Sequence, residues 1–193
     1  MGTDSEEKKK RLLVFIVAYN AERTIEDVLR RIPPEVGDHF DVEILIIDDA
    51  SEDDTFERSE LVNRTGVIPF KITVLFNPVN QGYGGNQKLG FHYAIKNDFD
   101  YVALLHGDGQ YAPECLPLLA SVLERGGAGA VFGSRMMNGT AALKGGMPLY
   151  KFIGNKILTK LQNFMLGSRL SEFHSGYRLY RISALKKIPF DLN

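Results

Sequence analysis

The run Leu12-Leu13-Val14-Phe15-Ile16-Val17-Ala18 contains no polar side chain. A strand with one wet face alternates apolar and polar residues. A strand without that alternation is covered on both faces, as in a parallel sheet layered between helices. Apolar runs recur at Val42 to Ile47, Ile72 to Phe76, Tyr101 to Leu105 and Ala130 to Gly133. Helical patterns separate them. The first covers Thr24 to Arg31, with Asn20 as its expected cap and Pro33-Pro34 as its stop. The second follows Asp53 and runs through Asn63, and the third leaves the glycine-rich stretch Asn80 to Gly85 and ends at Ala94 or Lys96. A fourth starts at Pro113 and runs to Glu124, and a long one spans Pro148 to Leu166. Met136 to Met147 reads as a flexible loop, and Tyr177 to Tyr180 as a short strand or turn. The alternation predicts an α/β fold, with a mainly parallel sheet and helices on both faces.

Composition narrows the function classes. The chain has 193 residues and a formal net charge of -1, which gives no electrostatic case for nucleic-acid binding. Its single cysteine, Cys115, forbids an intramolecular disulfide and fits a reducing, cytoplasmic setting. No apolar stretch is long enough to span a bilayer, and no signal-peptide pattern is present. The polar start, 1–11, reads as a flexible tail whose basic cluster Lys8 to Arg11 would also suit anionic lipid.

Polar clusters fall directly after four of the strands: Tyr19-Asn20, Asp48-Asp49, His106 to Gln110, and Ser134-Arg135. In a parallel sheet these positions converge on one edge, where such folds bind ligands. Asp108 stands between Gly107 and Gly109, which let backbone approach a bulky ligand closely. A carboxylate there suits a hard divalent cation, and a cation suits a diphosphate. The turn after the first strand carries no G-x-G-x-x-G, and no Walker pattern is present. Both absences argue against dinucleotide dehydrogenases and P-loop NTPases.

An ordered set of segments carries a resemblance over nearly the whole chain. They are Val17-Ala18-Tyr19-Asn20-Ala21-Glu22, Ile46-Ile47-Asp48-Asp49-Ala50-Ser51-Glu52-Asp53, Asn80-Gln81-Gly82-Tyr83-Gly84-Gly85-Asn86 with Gly90, His106-Gly107-Asp108-Gly109-Gln110-Tyr111-Ala112-Pro113-Glu114, Gly133-Ser134-Arg135, and Ser171-Glu172-Phe173-His174-Ser175-Gly176-Tyr177-Arg178. The chain resembles the family 2 glycosyltransferases of GT-A fold, especially the polyprenyl-phosphate sugar transferases.

The resemblance implies a single GT-A, Rossmann-like domain over 12–193. It would move a sugar, with inversion, from a UDP- or GDP-linked donor to an acceptor such as a polyprenyl phosphate. Peripheral membrane contact at the cytoplasmic face would follow. Ala18 and Tyr19 would line the base and ribose pocket, with Asn20 as a polar tip. Asp48 or Asp49 would accept a hydrogen bond from nucleobase or ribose. Gly107, Asp108 and Gln110 would meet the donor, Asp108 holding Mg²⁺ or Mn²⁺ and Arg135 adding positive charge. One departure stands out: the family's Asp-x-Asp begins here with His106, which would coordinate metal, contact the donor, or replace a more distant carboxylate. Imidazole favours Mn²⁺ over Mg²⁺. Glu172 occupies the place of the family's base, and His174 is a rival. Arg178 and Arg181 are candidates for acceptor phosphate. The chain ends earlier than family members usually do, so a further C-terminal segment is expected.

The long helix carries Leu149, Phe152, Ile153, Ile157, Leu161, Phe164 and Met165, mostly on one stripe. That stripe is expected to pack onto the sheet. Lys151, Lys156 and Lys160 beside it would also suit an interfacial helix. Two other classes compete with a transferase: a sugar nucleotidyltransferase, which should carry a glycine-rich basic loop near its start, and a non-catalytic sugar-nucleotide binder.

Overall fold

The computed structural model describes residues 8–137, 141–144 and 147–192. They group into two compact units, one of residues up to 131 with those from 178 onward, the other of 132–177.

The first unit opens with β1 (Lys10–Ala18), α1 (Ile25–Arg30), a single turn α2 (Val36–His39) and β2 (Phe40–Asp48). It continues with α3 (Thr55–Thr65), β3 (Lys71–Phe76), α4 (Gly82–Lys96) and β4 (Tyr101–His106). A 3-10 turn at Pro113–Cys115 leads into α5 (Leu116–Arg125), and β5 is Ala130–Phe132. Leu12 to Ile16 are wholly buried, as a strand covered on both faces requires. Alternate residues Leu13, Phe15 and Val17 join Phe91 and Ala94 of α4 in one apolar cluster. Each fully buried leucine, isoleucine or phenylalanine among these contributes roughly 1.5–3 kcal/mol of transfer free energy.

The six strands run in the order β3-β2-β1-β4-β6-β5, where β6 is Arg178–Arg181. Pairs β1–β2, β1–β4 and β2–β3 are parallel. The chain builds outward from β1 through β2 to β3, then returns to the other side of β1 with β4. That reversal opens a crevice beyond the carboxyl ends of β1 and β4. β6 runs antiparallel to β4, with Leu104 opposite Arg178 and Tyr101 opposite Arg181. Arg178 therefore stands at the crevice edge of the sheet and Arg181 at the far edge. The short α8 (Ile182–Leu185) closes the unit.

Several local expectations are corrected. Lys10 and Arg11 belong to β1 and not to a tail. The Arg11 guanidinium lies 4.1 Å over the Phe99 ring and 3.5 Å from Asp41, and Lys10 is 3.7 Å from Asp100. The rest of that tail, 1–7, lies outside the described residues. Asn20 caps no helix. It sits at φ 49°, takes the Glu52 N–H on its Oδ1 at 3.0 Å and donates its own N–H to Ser51 Oγ. It pins the turn after β1 to the turn after β2. The glycine-rich stretch also does more than lead into a helix, because α4 begins inside it at Gly82, whose φ of 69° makes the turn.

The second unit holds the single turn α6 (Ala141–Lys144) and the helix α7 (Leu149–Leu166). Part of the Met136 to Met147 loop lies outside the described residues; 141–144 are helical. The stripe of α7 does not pack inward as expected. Only Phe152 and Thr159 are buried, whereas Ile157, Leu161 and Phe164 are 63%, 53% and 87% exposed. Phe152 joins Met136 and Ala142, and Asn155 donates to Glu172, so the helix is held by another side.

Candidate functional site

In the first unit a cavity of about 360 Å³ fills the crevice. Strand β1 and its turn supply Val17, Ala18 and Tyr19, and β4 and its turn supply His106, Gly107 and Asp108. Asp49 comes from the turn after β2, and Asn80, Gly82, Tyr83 and Asn86 come from the start of α4.

The turn after β4 is built to hold Asp108 in place. The Gly107 N–H donates to Val17 O at 2.9 Å, and its carbonyl accepts the Thr24 hydroxyl at 2.6 Å. A Cβ at Gly107 would stand 3.3–3.4 Å from Ala21, Ile25 and Ala18, so the backbone is closely packed there. Gly109 takes φ 71°, and one Asp108 oxygen accepts the Gln110 N–H at 3.0 Å. Asp108 itself is exposed, and it borders both this cavity and a second hollow beside Asn20, Glu22 and Asp53. Gln110 is exposed in the turn and outside the cavity lining. The His106 ring is clamped between Tyr83 and Tyr111, each centroid 5.1 Å away.

The two adjacent aspartates separate. Asp49 lines the cavity, and its Oδ1 accepts Asn77 Nδ2 at 2.7 Å and the Gln81 N–H at 2.9 Å. It thereby ties the end of β2 to the start of α4. Asp48 is fully buried and outside the cavity lining, accepts the Ser51 N–H, and leaves Oδ2 without a hydrogen-bond partner among the described residues. Burial pushes its carboxyl above the unfolded value of 3.8, against hydrogen bonds from Ser51 and with Asp53 and Glu57 adding repulsion. Between those two values the native state holds a proton that the unfolded chain has released. Stability therefore falls as pH rises from 3.8 through the native value, and the loss is complete once Asp48 ionises. Asp48→Asn keeps an oxygen for Ser51 without the charge. Thermal melts are expected to show it more stable than wild type near neutral pH, with the gain shrinking toward pH about 4. Equal melting at neutral pH would show that the buried carboxylate carries no cost.

Asn86 is a cavity residue that reading the sequence assigned no role. It is 1% exposed, and its Nδ2 donates to Ile47 O at 2.9 Å. That bond fixes the amide orientation, because only the NH₂ end can meet a carbonyl. Its Oδ1 is left without a hydrogen-bond partner among the described residues, in the wall that also carries Asp49. The available signal was a polar residue four positions before Gly90 in a helix packed on the core. Tyr83 has its hydroxyl pushed up by burial, which the charge of Arg178 opposes. Arg181 is used structurally, donating to Leu123 O at 2.8 Å and to the Tyr101 hydroxyl at 3.2 Å.

In the second unit Glu172 is 2% exposed. Its oxygens accept the Arg135 N–H at 2.9 Å and Asn155 Nδ2 at 3.0 Å, and the Arg135 guanidinium lies 3.6 Å away. It thus ties the segment after β5 to α7. His174, two residues on, is exposed.

Among the described residues no group of three or more His, Cys, Asp or Glu side chains could hold a metal alone. The exposed carboxylate of Asp108 suits a cation that completes its shell with ligand phosphates, and an imidazole donor from His106 would favour Mn²⁺ over Mg²⁺. Nor is any described helix long and apolar enough to cross a membrane.

Comparison with known proteins agrees with this layout. An undecaprenyl-phosphate mannosyltransferase of Micrococcus luteus is 28% identical over 94% of this chain and 70% of its own length. A UDP-N-acetylglucosamine–dolichyl-phosphate N-acetylglucosaminyltransferase of Methanococcus voltae is 27% identical, over 95% and 74%. A solved mannosyltransferase of Pyrobaculum calidifontis, in complex with GDP-Man and Mn²⁺, superposes with a TM-score of 0.63 at 18% identity. Glucosyl-3-phosphoglycerate synthase of Mycobacterium tuberculosis, with Mn²⁺ and UDP-glucose, also gives 0.63, at 22%. The match covers 96% and 93% of this chain, but only 49% and 59% of those chains, so this chain spans about half the length of such structures. The likeness establishes the expected GT-A fold. Residues 13–189 match the family described as Glycosyl transferase family 2, and the chain belongs to that family.

Proposed function

We propose that this chain carries the donor site of a transferase that moves a sugar from a nucleoside-diphosphate sugar to a polyprenyl phosphate at the cytoplasmic face of a membrane. The observation that supports it most is the cavity at the strand-order reversal, with the exposed carboxylate of Asp108 fixed at its rim. The named relatives, which act on undecaprenyl and dolichyl phosphates, support the acceptor class.

Asp49 lines the cavity with a carboxylate, an acceptor that suits donating nucleobase N–H and ribose O–H groups. Tyr19, half exposed, offers an aromatic face to the base. Asp108, with His106, would hold Mg²⁺ or Mn²⁺ against the diphosphate, and that cation would neutralise charge on the departing nucleoside diphosphate. An acceptor phosphate is already ionised at neutral pH. Its oxygen attacks the anomeric carbon from the side opposite the diphosphate, inverting that centre. The C–O bond to the diphosphate breaks as the new C–O bond forms. Arg178 would orient the acceptor phosphate, and for a hydroxyl acceptor His174, which is exposed, would take the proton in preference to Glu172, whose oxygens are already engaged.

Calorimetric titration of UDP and GDP, with and without Mn²⁺, tests the donor site. Metal-enhanced binding of one nucleotide is expected, followed by label transfer from its sugar conjugate to a polyprenyl phosphate. Folded protein that binds neither nucleotide sinks the reading. Binding without transfer would instead support a non-catalytic binder, which His106 in place of the first acidic residue motivates.

A further inference from the structure

A separate hollow of about 380 Å³ lies at the far edge of the sheet in the first unit. Lys10 opens β1 and Tyr101 opens β4, and Arg181, opposite Tyr101, ends the antiparallel β6, so all three come to that edge. Asp100, Ser183 and Lys186 join them in the lining. Three cations and one carboxylate give the hollow a net charge of +2. The carboxylate is already engaged. One Asp100 oxygen accepts the Arg11 N–H at 2.9 Å, and the other lies 3.7 Å from the Lys10 ammonium. Among the described residues neither Arg181 nor Lys186 has a carboxylate partner. The telling group is the Tyr101 hydroxyl. Tyr101 is 4% exposed, and its oxygen accepts an Arg181 N–H at 3.2 Å. A phenol that accepts from a guanidinium must send its own hydrogen elsewhere. That hydrogen finds no acceptor among the described residues, and an acceptor seated in the hollow would satisfy it.

We propose that this hollow is a binding site for a phosphate dianion, free or carried by a small phosphomonoester. The net charge of +2 matches the dianion. The ligand must accept hydrogen bonds, because every unused group in the lining donates: the Tyr101 O–H, the Lys186 ammonium and the remaining Arg181 N–H groups, beyond those given to Tyr101 and Leu123 O. Bonds from cationic donors to phosphate oxygens are among the strong ones. Phe99 and Ile182, both buried, give the hollow an apolar wall for the carbons of an ester. The volume falls in the range of small-molecule sites, about 300–1,000 Å³, and exceeds what one phosphate group fills. The inference goes beyond the transferase reading, since neither donor, cation nor acceptor enters it. The nine residues of β1 separate this hollow from the donor cavity by roughly 25 Å. The phosphate experiment and the nucleotide titration therefore fail independently.

Calorimetric titration of inorganic phosphate and of glucose 6-phosphate, at constant ionic strength and without divalent cation, tests it, and amide NMR shifts locate the binding. Wild type is expected to bind, with shifts at Ser183 and Lys186 and none at Gly107 or Gln110. Tighter binding of the ester makes a phosphomonoester the ligand, and equal affinity makes it free phosphate; either supports the site. Tyr101→Phe keeps the ring against Phe40, 5.8 Å between centroids, and removes only the hydroxyl. It should weaken binding about tenfold or more, the worth of a hydrogen bond to a charged group. Lys186→Gln, an exposed change with little risk to folding, should also weaken it. Lys187→Gln removes the same charge one residue away, outside the lining, and should leave the affinity unchanged. The proposal is overturned if folded wild type binds neither compound, or if the shifts fall at Gly107 and Gln110. It is equally overturned if Lys186→Gln and Lys187→Gln weaken binding alike while Tyr101→Phe does not, because the anion would then meet only diffuse surface charge.

Discussion

Asp108→Ala is expected to lower sugar transfer by about a hundredfold to a thousandfold, the usual cost of losing one preorganised stabiliser of developing charge. The carboxylate is held by its own turn, with Gly107 bonded to β1 and to Thr24, and one oxygen occupied by Gln110. Nothing in the core depends on its charge, so the loss should appear without a fall in melting temperature. Asp108→Asn separates charge from shape. It retains an oxygen for the Gln110 N–H but offers a cation a far weaker ligand, and should be nearly as inactive as alanine. A raised requirement for Mn²⁺ at saturating donor would mark the defect as one of cation and diphosphate binding. Asp108→Asn with wild-type transfer at low Mn²⁺ would remove Asp108 from the site. His174→Ala and Glu172→Gln belong in the same assay. With a phosphate acceptor, His174→Ala should cost little. Glu172→Gln should act through the Arg135 and Asn155 contacts, showing itself as lowered stability as well as lowered rate.

The strands were legible because they are long apolar runs, and their ends because polar clusters interrupt those runs. Leu12 to Ala18, Val42 to Ile47 and Tyr101 to Leu105 each lie within the strand that forms there. Their convergence on one edge follows from parallel pairing, which apolar strands without wet faces imply. Which of Asp48 and Asp49 meets the cavity was not legible. The answer depends on where β2 stops, since one residue's shift exchanges burial for cavity exposure. Arg178 and Arg181 were indistinguishable until β6 proved antiparallel, which sends them to opposite edges of the sheet. The stripe on α7 was visible, but periodicity describes a face without saying which way it turns. That was decided by polar bonds from Asn155 and Asn163, together with the burial of Phe152. Asn86 escaped notice for a related reason: a polar residue in a helix reads as exposed unless the tertiary position is known.

Gly90→Ala should destabilise the protein although it replaces glycine in mid-helix with the best helix former. On propensity alone the change gains about 1 kcal/mol. The packing opposes it: a Cβ at Gly90 would fall 2.1–2.5 Å from three atoms of the Phe15 ring. Phe15 is wholly buried in β1, in one cluster with Phe91, Phe99 and Leu104, and has no open side to rotate into. Either the ring leaves its rotamer or α4 backs away from the sheet, at a cost of roughly 1–3 kcal/mol or more. For a chain of this size each kcal/mol moves the midpoint by about 2–4 °C, so a fall of several degrees is expected. Gly84→Ala is the internal control. It lies in the same helix, nothing stands within 4 Å of its Cβ position, and its melting temperature should rise. Adding Phe15→Leu should be less damaging in the Gly90→Ala background than alone, because the two changes share one volume. The functional consequence follows from where α4 begins. Retreat of the helix draws Tyr83 and Asn86 away from the cavity wall, so nucleotide affinity should fall with stability in Gly90→Ala and recover in the double variant. Unchanged melting in Gly90→Ala would mean that α4 and β1 are not packed as closely as this contact requires.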